Sequence, residues 1–226
     1  MTQDPVPPIT PRRFLQKLVW IYLAGTSGAV GVVILLMYAG LNMSLEQWLL
    51  FFSALPAAMA VFIGPDIVLL RRDARPVMKA LRILDSGQHI ATRFLNDATA
   101  ALLNLPFRSF LRVTFVHGPL AALAMVLVLE GFNYTLDVGF VDWQVWTMAA
   151  CILFFAAPVH AIIEYFSLNR MIEPILVGLN QFRDEDDQAD QLPKLIAVRL
   201  REKLLYLSLF VAAIPLVFFA GSTMVK

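Results

Sequence analysis

The chain has 226 residues, of which 59% are hydrophobic and 15% are charged, and its mean hydropathy is +0.70. Water-soluble domains average about 45–50% apolar and about 25% charged residues, so this composition excludes a disordered chain and an ordinary soluble globular enzyme. The formal net charge of +1 gives no reason to expect a nucleic-acid partner. A single cysteine, Cys151, excludes an intramolecular disulfide and any metal site built from several cysteines.

Five apolar runs are long enough to cross the hydrocarbon core of a bilayer, which takes about 20 residues of helix. In chain order they cover about 18–40, 47–70, 110–132, 143–167 and 204–224. Lipid offers no hydrogen-bond partners to backbone N–H and C=O groups, so these groups must pair within the chain. Each run is therefore expected to be helical. We therefore predict an all-α polytopic integral membrane protein with five transmembrane helices. The first run is too long for the core of a signal peptide and is expected to be retained.

Basic residues predict the orientation of these helices. If every run crosses, all of the 18 Lys and Arg residues except Lys226 fall on one side of the membrane. The positive-inside rule makes that side cytoplasmic. The N-terminus is then cytoplasmic, and five crossings put the C-terminus outside. We expect the bacterial cytoplasmic (inner) membrane, with Trp48 and Trp143 near its outer interface.

An internal repeat follows the even-numbered runs. One copy reads RDARPVMKALRIL from Arg72, and the other reads RMIEPILVGLNQF from Arg170. Arginine, proline, a branched apolar residue, a small residue and leucine recur at the same spacing, which indicates a unit of two membrane helices plus a cytoplasmic helical extension. The predicted organisation is a cytoplasmic N-terminal segment (1–17), a first unit (18–105), a second unit (106–192) and the start of a third unit (193–226).

The stretch from Arg75 to Leu105 carries apolar residues at helical spacing, with a break at Ser86-Gly87. It is too short and too charged to span a bilayer, so it predicts cytoplasmic amphipathic helices. Three placements fit this pattern: on the membrane surface, packed against a partner helix, or as a continuation of the second helix into the cytosol.

Arg72 and Pro76 directly after a membrane helix, followed by an apolar stripe and Gly87, resemble the opening of a HAMP-type linker, a parallel helical connector of bacterial receptors. The repeated arrangement, with Leu105-Pro106 and Arg108 opening the next unit, resembles the six-helix membrane region that precedes HAMP and the catalytic domain in a group of bacterial class III adenylate cyclases. The chain departs from that pattern because it has five apolar runs. It also lacks anything like the paired metal-binding aspartates or the base-reading lysine of a cyclase.

The resemblance implies a membrane sensory or regulatory module without catalysis by this chain. Such a module anchors in the lipid bilayer, forms a homodimer and relays a signal to a cytoplasmic output domain such as a nucleotide cyclase. In this interpretation Arg72, Pro76, Arg170 and Pro174 are the candidate signal-relay residues.

Ionisable residues at membrane depth are costly and indicate function by default. His117 lies about seven residues into the third run and His160 about seven residues before the end of the fourth, so both lie roughly 10 Å from the cytoplasmic end. The two imidazoles are level if these helices are antiparallel neighbours. Glu164 follows His160 by one turn, and Asp66 lies near the cytoplasmic end of the second run. The group predicts interhelical hydrogen bonding, a metal or proton-sensing site, or a pair of axial haem ligands.

Prolines inside the runs predict kinks, because proline removes a backbone donor from the helix. They stand at Pro56, Pro65, Pro119, Pro158 and Pro215.

The sequence contains no nucleophile–base motif, Gly-rich phosphate loop or zinc pattern, so we expect no enzymatic activity and no required cofactor. Two other functions stay open. One is a membrane redox protein that binds haem or a metal through His117 and His160. The other is a small transporter-like membrane protein, which the internal repeat permits although the middle of each run is almost wholly apolar.

Overall fold

The computed structural model describes residues 9–136 and 139–182. Within those ranges the chain is all-helical and has no strand. Its six α-helices are α1 (Pro11–Gly40), α2 (Leu45–Asp85), α3 (Thr92–Arg112), α4 (Gly118–Leu136), α5 (Asp142–Cys151) and α6 (Ala157–Asn180). A first π-helical segment, Val113–His117, joins α3 to α4, and a second, Ile152–Ala156, joins α5 to α6.

Four continuous helices of the described residues are long and apolar enough to cross a membrane. They are Pro11–Gly40, Leu45–Asp85, Thr92–Leu136 and Asp142–Asn180. The prediction of an all-α chain is therefore confirmed for the described residues, and the first four runs lie in helices long and apolar enough to span a membrane. The fifth predicted run, about 204–224, and the predicted third unit, 193–226, lie outside the described residues.

Large apolar side chains stand on the exposed faces of these helices. Examples are Trp20 at 71% exposure, Leu35 at 69%, Phe115 at 68% and Leu127 at 64%. Water-soluble proteins rarely leave many such side chains uncovered, whereas acyl chains cover them at no cost. The exposed apolar residues therefore agree with lipid as the surrounding solvent.

The helices extend beyond the apolar runs that predicted them. At the start of α1 the Thr10 hydroxyl accepts a hydrogen bond from Arg13 N at 3.3 Å, which caps the helix ahead of the first run. The second helix continues through the charged stretch to Asp85. It ends where predicted, since Gly87 has φ +69°, the left-handed conformation that glycine adopts at helix ends. Of the three placements open for the stretch after Arg75, its first part is thus a continuation of α2.

The described residues divide into two compact units, and each unit takes part of all four long helices. Unit 1 comprises 9–25, 68–110 and 162–182, and unit 2 comprises 26–67, 111–136 and 139–161. The two units group residues that contact each other, whereas the predicted units are consecutive stretches of sequence. Each compact unit therefore contains residues of both predicted repeats.

Unit 1 contains both copies of the repeated segment, and matching positions have matching burial. Val77 and Leu81 of α2 are fully buried in the core of this unit. Ile175 and Leu179 of α6 are buried in the same core, with at most 2% of their surface exposed. The arginines that open the two copies are both exposed. The apolar pattern of the repeat therefore faces inward in both copies.

Unit 2 has a separate core of large side chains, among them Met37, Phe51, Met125 and Leu129. Its connecting loops are held by side-chain amides. Ser44 and Gln47 form a reciprocal capping box at the start of α2, and Gln47 Nε2 also donates to Gly139 O at 2.8 Å. The side-chain amide of Asn133 donates from Nδ2 to the backbone carbonyl of Phe140 and accepts at Oδ1 from the backbone N–H of Phe140. These bonds fix the helix ends of the unit.

Each π segment ends two residues before a proline, at Pro119 and at Pro158. A proline at position i lacks an N–H and its ring clashes with the carbonyl of residue i−4. For Pro119 that residue is Phe115 in the first π segment, and for Pro158 it is Phe154 in the second. The wider π-helical turns relieve the clash between each proline ring and that carbonyl. Proline alone does not produce the widening, since α2 stays α-helical through Pro56 and Pro65.

Candidate functional site

Four ionisable side chains meet in unit 2, and we call Asp66, Arg112, His117 and His160 the polar cluster. Asp66 lies on α2, Arg112 ends α3, His117 ends the first π segment, and His160 lies on α6. All four are buried, with exposures of 1%, 4%, 6% and 1% respectively. The cluster therefore joins three of the four long helices through groups that normally stand in water.

An ion pair forms the centre of the polar cluster. Arg112 Nε donates to Asp66 Oδ1 at 2.6 Å, and the two side chains are 3% and 1% exposed. A charged hydrogen bond of this length is strong, but removing both charges from water carries a desolvation penalty of several kcal/mol per ion. Either residue is tolerated at this depth only because the other is present.

His117 occupies the second oxygen of the same carboxylate. Its Nδ1 lies 3.3 Å from Asp66 Oδ2. Because an ionised carboxylate only accepts hydrogen bonds, this contact favours the tautomer with the proton on Nδ1. The imidazole is also held by Phe62, whose ring centroid lies 4.4 Å away. Asp66 thus couples a fixed cation to a histidine.

His160 completes the polar cluster. Its ring meets that of His117 edge to face, with centroids 4.9 Å apart and planes at 87°. The structure therefore brings together the two imidazoles that sequence depth put at the same level, and it brings Asp66 to them.

Glu164 belongs instead to unit 1, where it contacts a residue of α3. Ser109 Oγ donates to Glu164 Oε1 at 2.5 Å, and both residues are buried. A second polar contact of unit 1 joins Arg108 Nη1 to Asp73 Oδ1 at 3.5 Å. The sequence predicted Glu164 as a neighbour of His160 on one helix face, and its bond to Ser109 was not predicted.

The candidate relay residues are also in unit 1 and are not part of the polar cluster. The Arg72 side chain is 73% exposed, with its Nε 3.8 Å from Asp73 Oδ1. Arg170 and Pro174 are exposed, and Pro76 is half-buried. All four stand on helix surfaces.

Sequence reasoning missed Arg112 as a site residue, because it was counted only among the charges that set orientation. One signal could have found it. Asp66 lies in an apolar run and needs a cation, and Arg112 is the only Lys or Arg within the run 110–132.

The polar cluster does not fit haem. Two axial ligands hold a porphyrin between their rings, whereas His117 and His160 are in direct edge-to-face contact. The cavity beside them measures about 60 Å³, which is room for about two water molecules and far less than a macrocycle. In 9–136 and 139–182, no group of three or more His, Cys, Asp or Glu side chains is placed to hold a metal ion.

Comparisons with known proteins assign no family to the chain. No family model matches it, and no curated protein or solved structure matches it significantly. The chemistry of the site therefore rests on its own geometry: a carboxylate shared by a guanidinium and an imidazole, with a second imidazole in contact.

Proposed function

We propose that this chain is a membrane sensory or regulatory module. It anchors in the bacterial cytoplasmic membrane with its N-terminus inside and, through a fifth crossing, its C-terminus outside. It forms a homodimer and relays a signal to a cytoplasmic output domain such as a nucleotide cyclase, without performing catalysis itself.

The buried ion pair of Asp66 and Arg112 carries this proposal. Well-packed apolar residues in place of a buried ion pair are often as stable or more stable, so such a pair is weak evidence of a purely structural role. Here the pair also binds His117, next to a π segment of the kind that is frequent at functional sites. Ionisable groups at membrane depth indicate function by default.

The geometry supports a switching role for the polar cluster. A stimulus that alters how Asp66 divides its two oxygens between Arg112 and His117 changes the connection of α2 to two other helical segments at once. Such a change needs only a small movement, because packed helices adopt discrete arrangements and do not deform continuously.

The exposed relay residues support the output step. Arg72 and Arg170 stand outside the core of unit 1 while the apolar residues that follow them in each repeat are buried. A partner helix from a second copy or from an output domain can therefore reach both arginines without unfolding the unit.

Dimerisation and relay are tested with a split reporter. Complementary fragments of a reporter adenylate cyclase are fused to the N-termini of two copies of the full chain, and cyclic AMP is measured in bacteria. We expect complementation well above that of an unrelated membrane anchor. Asp66→Asn should change the signal by several-fold, and replacement of Arg72, Pro76, Arg170 and Pro174 together should do the same.

The control is Asp97→Asn, which removes the same charge from an exposed position of α3. It should leave the signal unchanged at equal expression. A signal no higher than that of the unrelated anchor, or equal effects of Asp66→Asn and Asp97→Asn, would contradict the proposal.

A further inference from the structure

Unit 2 contains a partly open cavity of about 60 Å³. One stripe of each of four helical segments forms its wall, with the spacing of a single helix face. Among the residues that line it are Ala29 of α1, Ala58 and Phe62 of α2, and His117, Ala121 and His160 of the two π-containing helices.

Small side chains create this space. Ala29, Ala58 and Ala121 are each less than 8% exposed and face the cavity beside the large rings of Phe51 and Phe62. Gly118 lets two helices approach closely, since a Cβ placed on it would lie 2.5 Å from the Cβ of Ala157. The close contact of Gly118 with Ala157 therefore bounds the cavity, and the small alanine side chains that face it leave its centre empty.

The wall is almost wholly apolar, and this determines what the cavity can hold. Its polar side chains are Thr26, His117 and His160, and His117 Nδ1 already faces Asp66. A buried water needs two to four polar partners, whereas enclosed apolar cavities stay dry and take apolar guests. At about 30 Å³ per water-sized molecule, the space suits an occupant of about two or three non-hydrogen atoms.

We propose that this cavity is a binding site for a small, uncharged, apolar molecule, in the size class of a dissolved gas or a very short hydrocarbon. Such molecules partition from water into the lipid that surrounds the helices. An occupant of the cavity touches the rings of His117 and His160, so its presence acts on the polar cluster directly. The role of this molecule as the stimulus of the sensory module rests on the proposed function. Its binding to the cavity does not, because binding is measured separately.

Xenon is a suitable probe because it is apolar, monatomic and chemically inert. The full chain is labelled with ¹³C at the methionine methyls, placed in lipid nanodiscs and recorded by NMR under increasing xenon pressure. Met59 and Met125 line the cavity, whereas Met37 and Met148 are buried in the same core without lining it. We expect saturable shifts at Met59 and Met125 and no comparable shifts at Met37 and Met148.

A matched pair of variants on α2 tests the location. Ala58→Val adds two carbons to the cavity wall, and Ala54→Val adds them one turn earlier at an equally buried position that does not line the cavity. Ala58→Val should reduce the xenon-induced shifts about fivefold or more, since the added carbons occupy most of the space. Ala54→Val should leave them unchanged. Ala121→Val repeats the test from α4 if Ala58→Val does not fold.

Two results would overturn the binding proposal: no saturable shift at Met59 and Met125, or shifts at Met37 and Met148 as large as theirs. The split reporter, measured under the same xenon pressure, tests separately whether the occupant of the cavity acts as the stimulus. Site-specific shifts with an unchanged reporter signal would establish the binding site and contradict its role as the stimulus. Site-specific shifts together with a changed signal that Ala58→Val abolishes would support both.

Discussion

Unit 1 and unit 2 are built from the same long helices, yet each holds an aspartate–arginine pair in a different environment. In unit 1 the Arg108 side chain is 46% exposed and lies 3.5 Å from Asp73. In unit 2 the Arg112 side chain is 3% exposed and lies 2.6 Å from Asp66. Solvated pairs contribute little to stability, whereas breaking a buried pair leaves an uncompensated charge. The two pairs thus contrast a buried aspartate whose arginine is half-exposed with a pair in which both side chains are buried.

The largest expected effect comes from breaking the buried pair. Asp66→Ala leaves the Arg112 guanidinium buried without its carboxylate and should lower the free energy of unfolding by about 3–5 kcal/mol. Reversible unfolding in bicelles or mixed micelles measures the change. A loss below about 1 kcal/mol, the size expected of a solvated pair, would show that water or lipid headgroups reach the pair.

A smaller effect should follow from closing the tight helix contact of unit 2. Gly118→Ala places a methyl 2.5 Å from the Ala157 Cβ, so the backbone must move, at a cost of about 1–3 kcal/mol. Gly131→Ala, in the same helix, meets nothing within 4 Å and should gain up to about 1 kcal/mol through helix propensity. Thermal unfolding of both variants checks the opposite signs. An unaffected Gly118→Ala would contradict the close approach to Ala157, and a destabilised Gly131→Ala would contradict the open space at Gly131.

The smallest effect is expected in unit 1. Asp73→Ala removes the partner of a half-exposed arginine, which solvent can compensate, so the unfolding free energy should change by less than about 1 kcal/mol. The same unfolding assay as for Asp66→Ala measures it. A loss as large as that of Asp66→Ala would mean that exposure does not distinguish the two pairs.

Hydropathy and local chemistry predicted the parts of the fold that depend on local sequence. The first four apolar runs are helical, as expected of runs long enough to cross a bilayer, and Gly87 follows the end of α2 because glycine adopts positive φ readily. The full length of α2 was one of three placements that the sequence left open, because the choice depends on the packing of Val77 and Leu81 into unit 1. Packing of this kind joins segments that are distant in sequence.

The site was predicted in part for a similar reason. The depth of His117 and His160 followed from counting residues along each helix, and it put both near Asp66. The pairing of Asp66 with Arg112 depends on which faces of two helices meet, and the position of Glu164 beside Ser109 does as well. The π segments ahead of Pro119 and Pro158 rotate the helix faces by amounts that an ideal α-helical count omits.

A double-mutant cycle in one bilayer tests the difference between the two pairs most directly. Asp66 and Arg112 are replaced singly and together, as are Asp73 and Arg108, and the coupling energy of each pair is taken from the unfolding free energies. We predict at least about 2 kcal/mol for the buried pair and less than about 0.5 kcal/mol for the half-exposed pair. Equal coupling energies would contradict the account of Asp66 and Arg112 as a buried pair that water does not reach.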